Sequence, residues 1–312
     1  MSKSIVNSTP YPFQFNPPTL QKLGKPGQTA DVTGTLKNVR GKIPSVHASA
    51  LRTMMLEAHN DPTKILAHAC SYDGLSSRLC EEAGFPMIFL AGYAVASAYG
   101  LPDTGYIAMA EVCDKIQETV RQVSVPVMAD GDTGYGSPLN VKRTVESYAH
   151  AGAAGIMIED QTWPKPRTDA LIHGWEEAMS RAKEFKRIGV DAVFVEALPD
   201  RESMRRCVEE IGIPTFANII EGGKTENLSA KDLAELGFCA VAYPWTLVAA
   251  KLKSIRETLE ELKKSMTVGK PPMILSYNEV CEGVGFNKYW DLEERYKFKD
   301  DGLMTESTNG RS

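Results

Sequence analysis

The stretch Met128-Ala129-Asp130-Gly131-Asp132-Thr133-Gly134-Tyr135-Gly136 and, farther on, Ile158-Glu159-Asp160-Gln161 each place carboxylates where an apolar run ends. The runs 125–129 and 155–158 read as short buried strands, so these acids fall at the tips of successive strands, the end of an α/β fold that carries chemistry. Acids crowded there repel one another unless a hard cation or protons hold them. Magnesium suits such a set, because it takes oxygen ligands and keeps several of its waters; manganese is the alternative ion. For any single Asp-Gly pair a simple turn is the better reading. Two acid clusters in successive βα units favour a site.

The elements that must position these residues are legible as alternating patterns. Runs at 65–70, 87–91, 125–129, 155–158, 192–195, 214–219 and 239–243 predict seven strands. Between them, Val112, Ile116 and Val120, then Trp175, Ala178, Ala182 and Phe185, then Met204, Cys207, Val208 and Ile211 recur at helical spacing, and Leu51, Met54, Met55 and Ala58 mark a helix before the first strand. Gly189 and Gly237 stand where helices end, and Ser229 where one begins. Strands alternating with helices pair in parallel through right-handed crossovers. A Rossmann sheet is disfavoured, since Cys70-Ser71-Tyr72-Asp73-Gly74 after the first strand has neither a GxGxxG nor a P-loop pattern. Nearly every run instead ends in a polar or aromatic residue suited to a site, as at the C-terminal rim of a (β/α) TIM-type barrel. The chain therefore divides into a flexible N-terminal arm (1–45, rich in Pro, Thr, Lys and Gly), a barrel (46–266), and a C-terminal helical extension and tail (267–312).

Composition narrows the function. At 312 residues, 43% hydrophobic and 24% charged, the chain lies in the soluble globular range. A net charge of −5 offers no field for nucleic acid or an anionic membrane, and no apolar run approaches the roughly 20 residues of a membrane span. With no apolar core of a secretory signal near the N-terminus, a cytoplasmic location is expected. The six cysteines show neither CxxC nor zinc spacing, and the five histidines no HExxH.

On its motifs the chain resembles the phosphoenolpyruvate mutase/isocitrate lyase superfamily, within it fungal oxaloacetate acetylhydrolases and 2,3-dimethylmalate lyases, from about Leu51 to Tyr296. The resemblance rests on Ser71-Tyr72-Asp73 with Gly92-Tyr93, Pro102-Asp103-Thr104-Gly105, the Asp130–Gly136 and Ile158–Gln161 segments, Arg167-Thr168-Asp169-Ala170, and Asn218-Ile219-Ile220-Glu221-Gly222-Gly223. It implies a (β/α) barrel whose last helix is exchanged with a neighbouring subunit in a homodimer or homotetramer. It also implies a metal set in which Asp130 is the direct magnesium ligand and Asp103, Asp132 and Glu159 act mainly through metal-bound water. It further implies a catalytic group of Arg167, Glu196 and Tyr93, with Ser71, Tyr72, Asp73, Gly92, Asn218 and Pro244 binding substrate. The implied substrate is a small 2-hydroxy or 2-oxo dicarboxylate cleaved at C2–C3, either oxaloacetate to oxalate and acetate or a 2-alkylmalate; Pro244 leans toward the second. Without the resemblance, Arg167 reads as a surface ion-pairing residue, Glu196 and Asn218 as loop caps, Tyr93 and Tyr135 as packing, and Asp103 as a turn former.

One segment departs from the pattern. Relatives carry a Lys-Lys/Arg-Cys-Gly-His motif after the fourth strand, whose cysteine protonates the departing enolate, whereas this chain reads Trp163-Pro164-Lys165-Pro166-Arg167 and passes straight to the arginine. About one βα unit, roughly 30 residues, is absent. A parallel crossover needs about a dozen residues or more, so either the barrel closes imperfectly or a short piece at 168–171 fills the gap. No other cysteine takes the acid's place in this reading, and a recognisable metal pocket with poor or absent turnover is expected. The alternatives are an impaired paralogue kept for binding or assembly, and an incomplete gene model of an active enzyme.

Overall fold

The computed structural model describes residues 9–15, 45–161, 174–223 and 225–296. All seven predicted runs form strands: β1 (Leu66–Ser71), β2 (Ile88–Leu90), β3 (Val127–Asp130), β4 (Gly155–Met157), β5 (Val193–Phe194), β6 (Thr215–Asn218) and β7 (Ala240–Tyr243). Every pairing is parallel, and the sheet order is β4-β3-β2-β1-β7-β6-β5. The helices that make the crossovers include α2 (Gly74–Glu82), α3 (Gly92–Ala98), α4 (Met109–Val120) and α5 (Pro138–Ala151) in the first half. In the second half they include α6 (Trp175–Ile188), α7 (Arg201–Ile211) and α8 (Ala230–Glu235). Gly189 ends α6 in the left-handed conformation, and Ser229 caps α8 by accepting from Asp232 N, both as the sequence predicts.

Among the described residues the barrel is open at one seam, the imperfect closure that the truncated βα unit allows. Closure requires β4 to be joined to β5, and no strand joins them among the described residues. The seam lies where the sequence lacks a βα unit, which explains it physically: the missing strand is the one that would bridge these two edges. Strand β4 shows the effect, since none of its three residues is fully buried whereas β1, β2 and β3 are buried throughout. The alternative filler at 168–171 lies outside the described residues.

The chain forms two compact units, Met1–Leu252 and Lys253–Ser312. In the first, strand pleating sorts side chains between two layers. Leu66 and Cys70 face inward with Phe89, Met128, Phe216 and Ala240, where α1 (Val46–Asn60) adds Leu51, Met54 and Met55. Ala67 and Ala69 face outward against the helices. Near the N-terminus, Tyr11 packs edge-on against Phe13 and Phe85 at 5.8 and 5.7 Å. Its hydroxyl accepts from Ala67 N at 2.7 Å and donates to Ala67 O at 2.8 Å. That stretch of β1 lies before its register with β2 begins at Cys70, so the phenol satisfies backbone groups that β2 does not reach.

The second unit contains α10 (Tyr277–Val284), capped by Ser276 and ended by Gly285, and α11 (Phe286–Tyr296). Tyr277, Phe286, Tyr289 and Trp290 are exposed there. Helix α9 (Thr246–Ser265) contributes to both units. Among the described residues, no helix is long and apolar enough to cross a membrane.

Candidate active site

Asp130 is the last residue of β3, and its carboxylate is buried at 5% exposure. Its two oxygens accept different backbone donors, Oδ2 from Gly92 N at 3.0 Å and Oδ1 from Asp132 N at 3.0 Å. Gly92 opens α3 directly after β2, so the alignment of β2 and β3 is what brings this donor to Asp130. Asp132, also buried, turns its Oδ1 toward the same glycine. Asp103 and Asp132 line one recess with Gly92, Thr104 and Gly105. Three of the four residues of the predicted metal set thus converge around Gly92.

Glu159, the fourth, follows β4. Its backbone N donates to Asp132 O at 2.7 Å, and its Oε2 accepts from Gln161 Nε2 at 2.5 Å. The two acid clusters are therefore tied through the main chain, and the backbone link fixes where Glu159 leaves the strand. Among the described residues, no three His, Cys, Asp or Glu side chains form a ready metal cluster. The donor set is nonetheless of the kind that would hold magnesium: hard carboxylate oxygens from Asp130, Asp103, Asp132 and Glu159.

The opposite part of the rim comes from β5 and β6. Asn218 Nδ2 donates to Glu196 Oε2 at 3.4 Å, and both line a second recess with Ala197, Leu198 and Thr225. Ala197 holds φ +58, a left-handed conformation rare for a residue with a side chain. Glu221 accepts from Thr246 Oγ1. Cys70, fully buried on the inner face, has its thiol pushed well up by burial, with the charges of Asp130 and Glu221 adding to the effect.

The remaining predicted residues fall into distinct settings. Tyr93 stacks on Trp245 at 5.3 Å with 14° between the rings, and Pro244 beside it is buried. Tyr72 lies under Lys251 Nζ at 4.3 Å. Ser71 points outward, where its hydroxyl accepts from Ser77 of α2 at 3.0 Å. Asp73 caps α2 by accepting from Ser76 N at 2.7 Å, and Ser76 Oγ in turn accepts from Tyr72 N and Asp73 N. The polar groups of Ser71 and Asp73 are therefore engaged in shaping the first turn of α2. Arg167 lies outside the described residues. All six cysteines are free thiols; five are buried and Cys113 is partly so.

Sequence reasoning passed over one group that touches this site. Tyr148, buried on α5, donates from its hydroxyl to the backbone oxygen of Asp130 at 3.0 Å and lies 3.1 Å from the Tyr135 hydroxyl. Burial pushes both phenols well up. The available signal was a polar row, Asn140, Thr144 and Tyr148, at four-residue spacing on a helix.

Comparison with known proteins agrees with this geometry. The family described as phosphoenolpyruvate phosphomutase matches residues 56–166 and 165–263, in two pieces that meet where the sequence lacks its loop. The petal death protein of Dianthus caryophyllus is 31% identical over 72% of this chain and 83% of its own. The 2,3-dimethylmalate lyase of Eubacterium barkeri is 29% identical over 75% and 94%. The crystal structure of oxaloacetate acetylhydrolase superposes with a TM-score of 0.72 at 26% identity, covering 81% of this chain and 99% of that one. A parallel sheet with acids converging on Gly92, matched over most of its length by these proteins, places the chain in the phosphoenolpyruvate mutase/isocitrate lyase superfamily, to which it belongs.

Proposed function

We propose that this chain binds magnesium at Asp130 and a small 2-hydroxy or 2-oxo dicarboxylate beside it, with cleavage of the C2–C3 bond as its reaction. The observation that carries the reading is the buried Asp130 carboxylate held by Gly92 N and Asp132 N, with Asp132 and Asp103 on the same recess. Relatives named 2,3-dimethylmalate lyase and oxaloacetate acetylhydrolase support the substrate class.

When bound, the metal supplies Lewis acidity toward a C2 oxygen and its neighbouring carboxylate. The rest falls to the chain's own residues. Asp130 is aimed by its two backbone donors, and Asp103, Asp132 and Glu159 would hold the ion's water. Glu196 and Asn218 present an acceptor and an amide to the substrate's C2 oxygen from β5 and β6. Tyr93 and Trp245 stack on one another beside Gly92 and Pro244, and buried Pro244 offers no hydroxyl to a hydrated C2 carbonyl, which favours a 2-alkylmalate over oxaloacetate. Arg167 is the proposed partner of the second carboxylate.

Turnover in this reading is slow. The sequence has no cysteine-bearing loop after β4, and the absence of a positioned general acid lowers rates typically by ~10²–10⁴-fold. The same absence favours a second reading, a paralogue that retains binding and has lost cleavage. A thermal shift with magnesium plus oxalate, together with assays for pyruvate release and for acetate plus oxalate, separates the two. Slow magnesium-dependent product formation supports the enzyme, and a ligand shift without product supports the binding protein. No shift and no product would remove both. The exposed Tyr277, Phe286, Tyr289 and Trp290 support assembly with further copies as a homodimer or homotetramer, read by light scattering.

A further inference from the structure

Two of the three non-glycine residues with left-handed backbones among those described sit in the acid loop: Asp132 at φ +44 and Tyr135 at φ +60. Such conformations persist only when surrounding contacts over-determine them. Here the contacts come from one helix. Asn140, Thr144 and Tyr148 stand four residues apart on α5 and therefore share a face. Each grips a successive point of the loop. Asn140 Oδ1 accepts from Ser137 N at 3.0 Å, Thr144 Oγ1 shares its proton between Gly134 O and Asn140 O, each at 3.0 Å, and Tyr148 Oη donates to Asp130 O at 3.0 Å.

Packing completes the grip. Gly134 holds φ +82 with its Cα pressed on Val141, so that an added Cβ would lie 2.4 Å from Val141 Cγ2. Tyr135, the strained residue, returns its own hydroxyl to Tyr148 at 3.1 Å, closing a ring from Asp130 through α5 and back to the loop. Thr144 and Tyr148 are buried, at 0% and 1% exposure, so water does not substitute for these bonds.

We propose that the Asn140-Thr144-Tyr148 row is a clamp that holds the 130–137 loop in its strained form and thereby aims the Asp130 and Asp132 carboxylates. These are positioning residues; none of them is assigned a contact with substrate. Its effect on metal affinity rests on the magnesium reading; its effect on loop dynamics does not.

The test uses the full chain with Tyr148→Phe, which keeps the buried ring, Thr144→Val, and Thr144→Ser as the conservative variant. Asn140→Ala, at an exposed position, guards against failure to fold. Hydrogen exchange of the 131–137 amides should rise about tenfold in Tyr148→Phe and Thr144→Val, the scale of one lost buried hydrogen bond. Amides of α7 should stay as in the wild type, and Thr144→Ser should restore protection. Asn140→Ala should raise exchange only near Ser137. Manganese binding, followed by loss of the free-ion resonance signal, should weaken about tenfold in Tyr148→Phe and Thr144→Val and recover in Thr144→Ser. If the wild type binds no divalent ion, the magnesium reading fails and exchange alone decides the clamp. Unchanged loop exchange, or an equal rise in α7, would overturn it, as would wild-type metal affinity in both hydroxyl-free variants.

Discussion

Gly92 donates its backbone N–H to Asp130 Oδ2 at 3.0 Å, joining the residue after β2 to the residue that ends β3. A Cβ at position 92 would lie 3.1 Å from that oxygen and 3.3 Å from Asp132 Oδ1. Nothing in the backbone at 92 forbids alanine, so Gly92→Ala should fold and act by crowding the two carboxylates. Its divalent-ion affinity should fall roughly tenfold, the scale of one weakened bond to a charged group at about 1.5–3 kcal/mol. Calorimetric titration with magnesium, beside a circular dichroism check of folding, measures this. Wild-type affinity in the alanine variant would mean that the ion sits elsewhere.

His68 provides a pH prediction. It is fully buried on β1, edge-on to Phe89 at 5.5 Å, with Nδ1 3.1 Å from Leu66 O and Nε2 without a hydrogen-bond partner. Burial pulls its imidazole down from 6.5 to about 4, against a smaller opposing effect of the Leu66 carbonyl. The folded form therefore stays neutral where the unfolded form takes up a proton. Its contribution is intact above about pH 6.5, declines as the pH falls, and levels off below about pH 4, a loss of about 3 kcal/mol across the window. Urea unfolding at several pH values should show a shallower acid loss for His68→Met than for the wild type. Parallel curves would refute the assignment.

Tyr11→Phe removes a hydroxyl that serves both Ala67 N and Ala67 O. The ring and its contacts with Phe13 and Phe85 remain, so the cost isolates the hydrogen bonds, roughly 1–3 kcal/mol for leaving buried backbone groups unsatisfied. The urea midpoint should drop without a change in magnesium affinity, because this end of β1 is remote along the strand from the rim at Ser71. An unchanged midpoint would show that Tyr11 is not needed to complete β1.

Much of this was legible in the chain itself. Alternation of short apolar runs with helical spacing located all seven strands, because fully buried parallel strands must be nearly continuous in apolar residues. Asp130 and Asp132 were visible because acid clusters follow two successive apolar runs, whereas a single Asp-Gly pair would read as a turn. Tyr148 was not, since a tyrosine on an amphipathic helix reads as packing until the atom its hydroxyl reaches is known. Ser71 and Asp73 look alike in sequence to site residues, and only their bonds to Ser77 and Ser76 reveal that they shape the turn into α2.

By itself the sequence determined the strand inventory and the parallel pairing, which follow from local periodicity, while the shortage of one βα unit is what the family resemblance implies. Only the tertiary structure decided that the barrel stays open between β4 and β5 among the described residues, that Gly92 rather than a side chain caps Asp130, and that α5 grips the acid loop. The division has a physical cause. Periodicity is written into neighbouring residues, whereas a hydrogen bond across 18 or 38 positions depends on how whole elements pack.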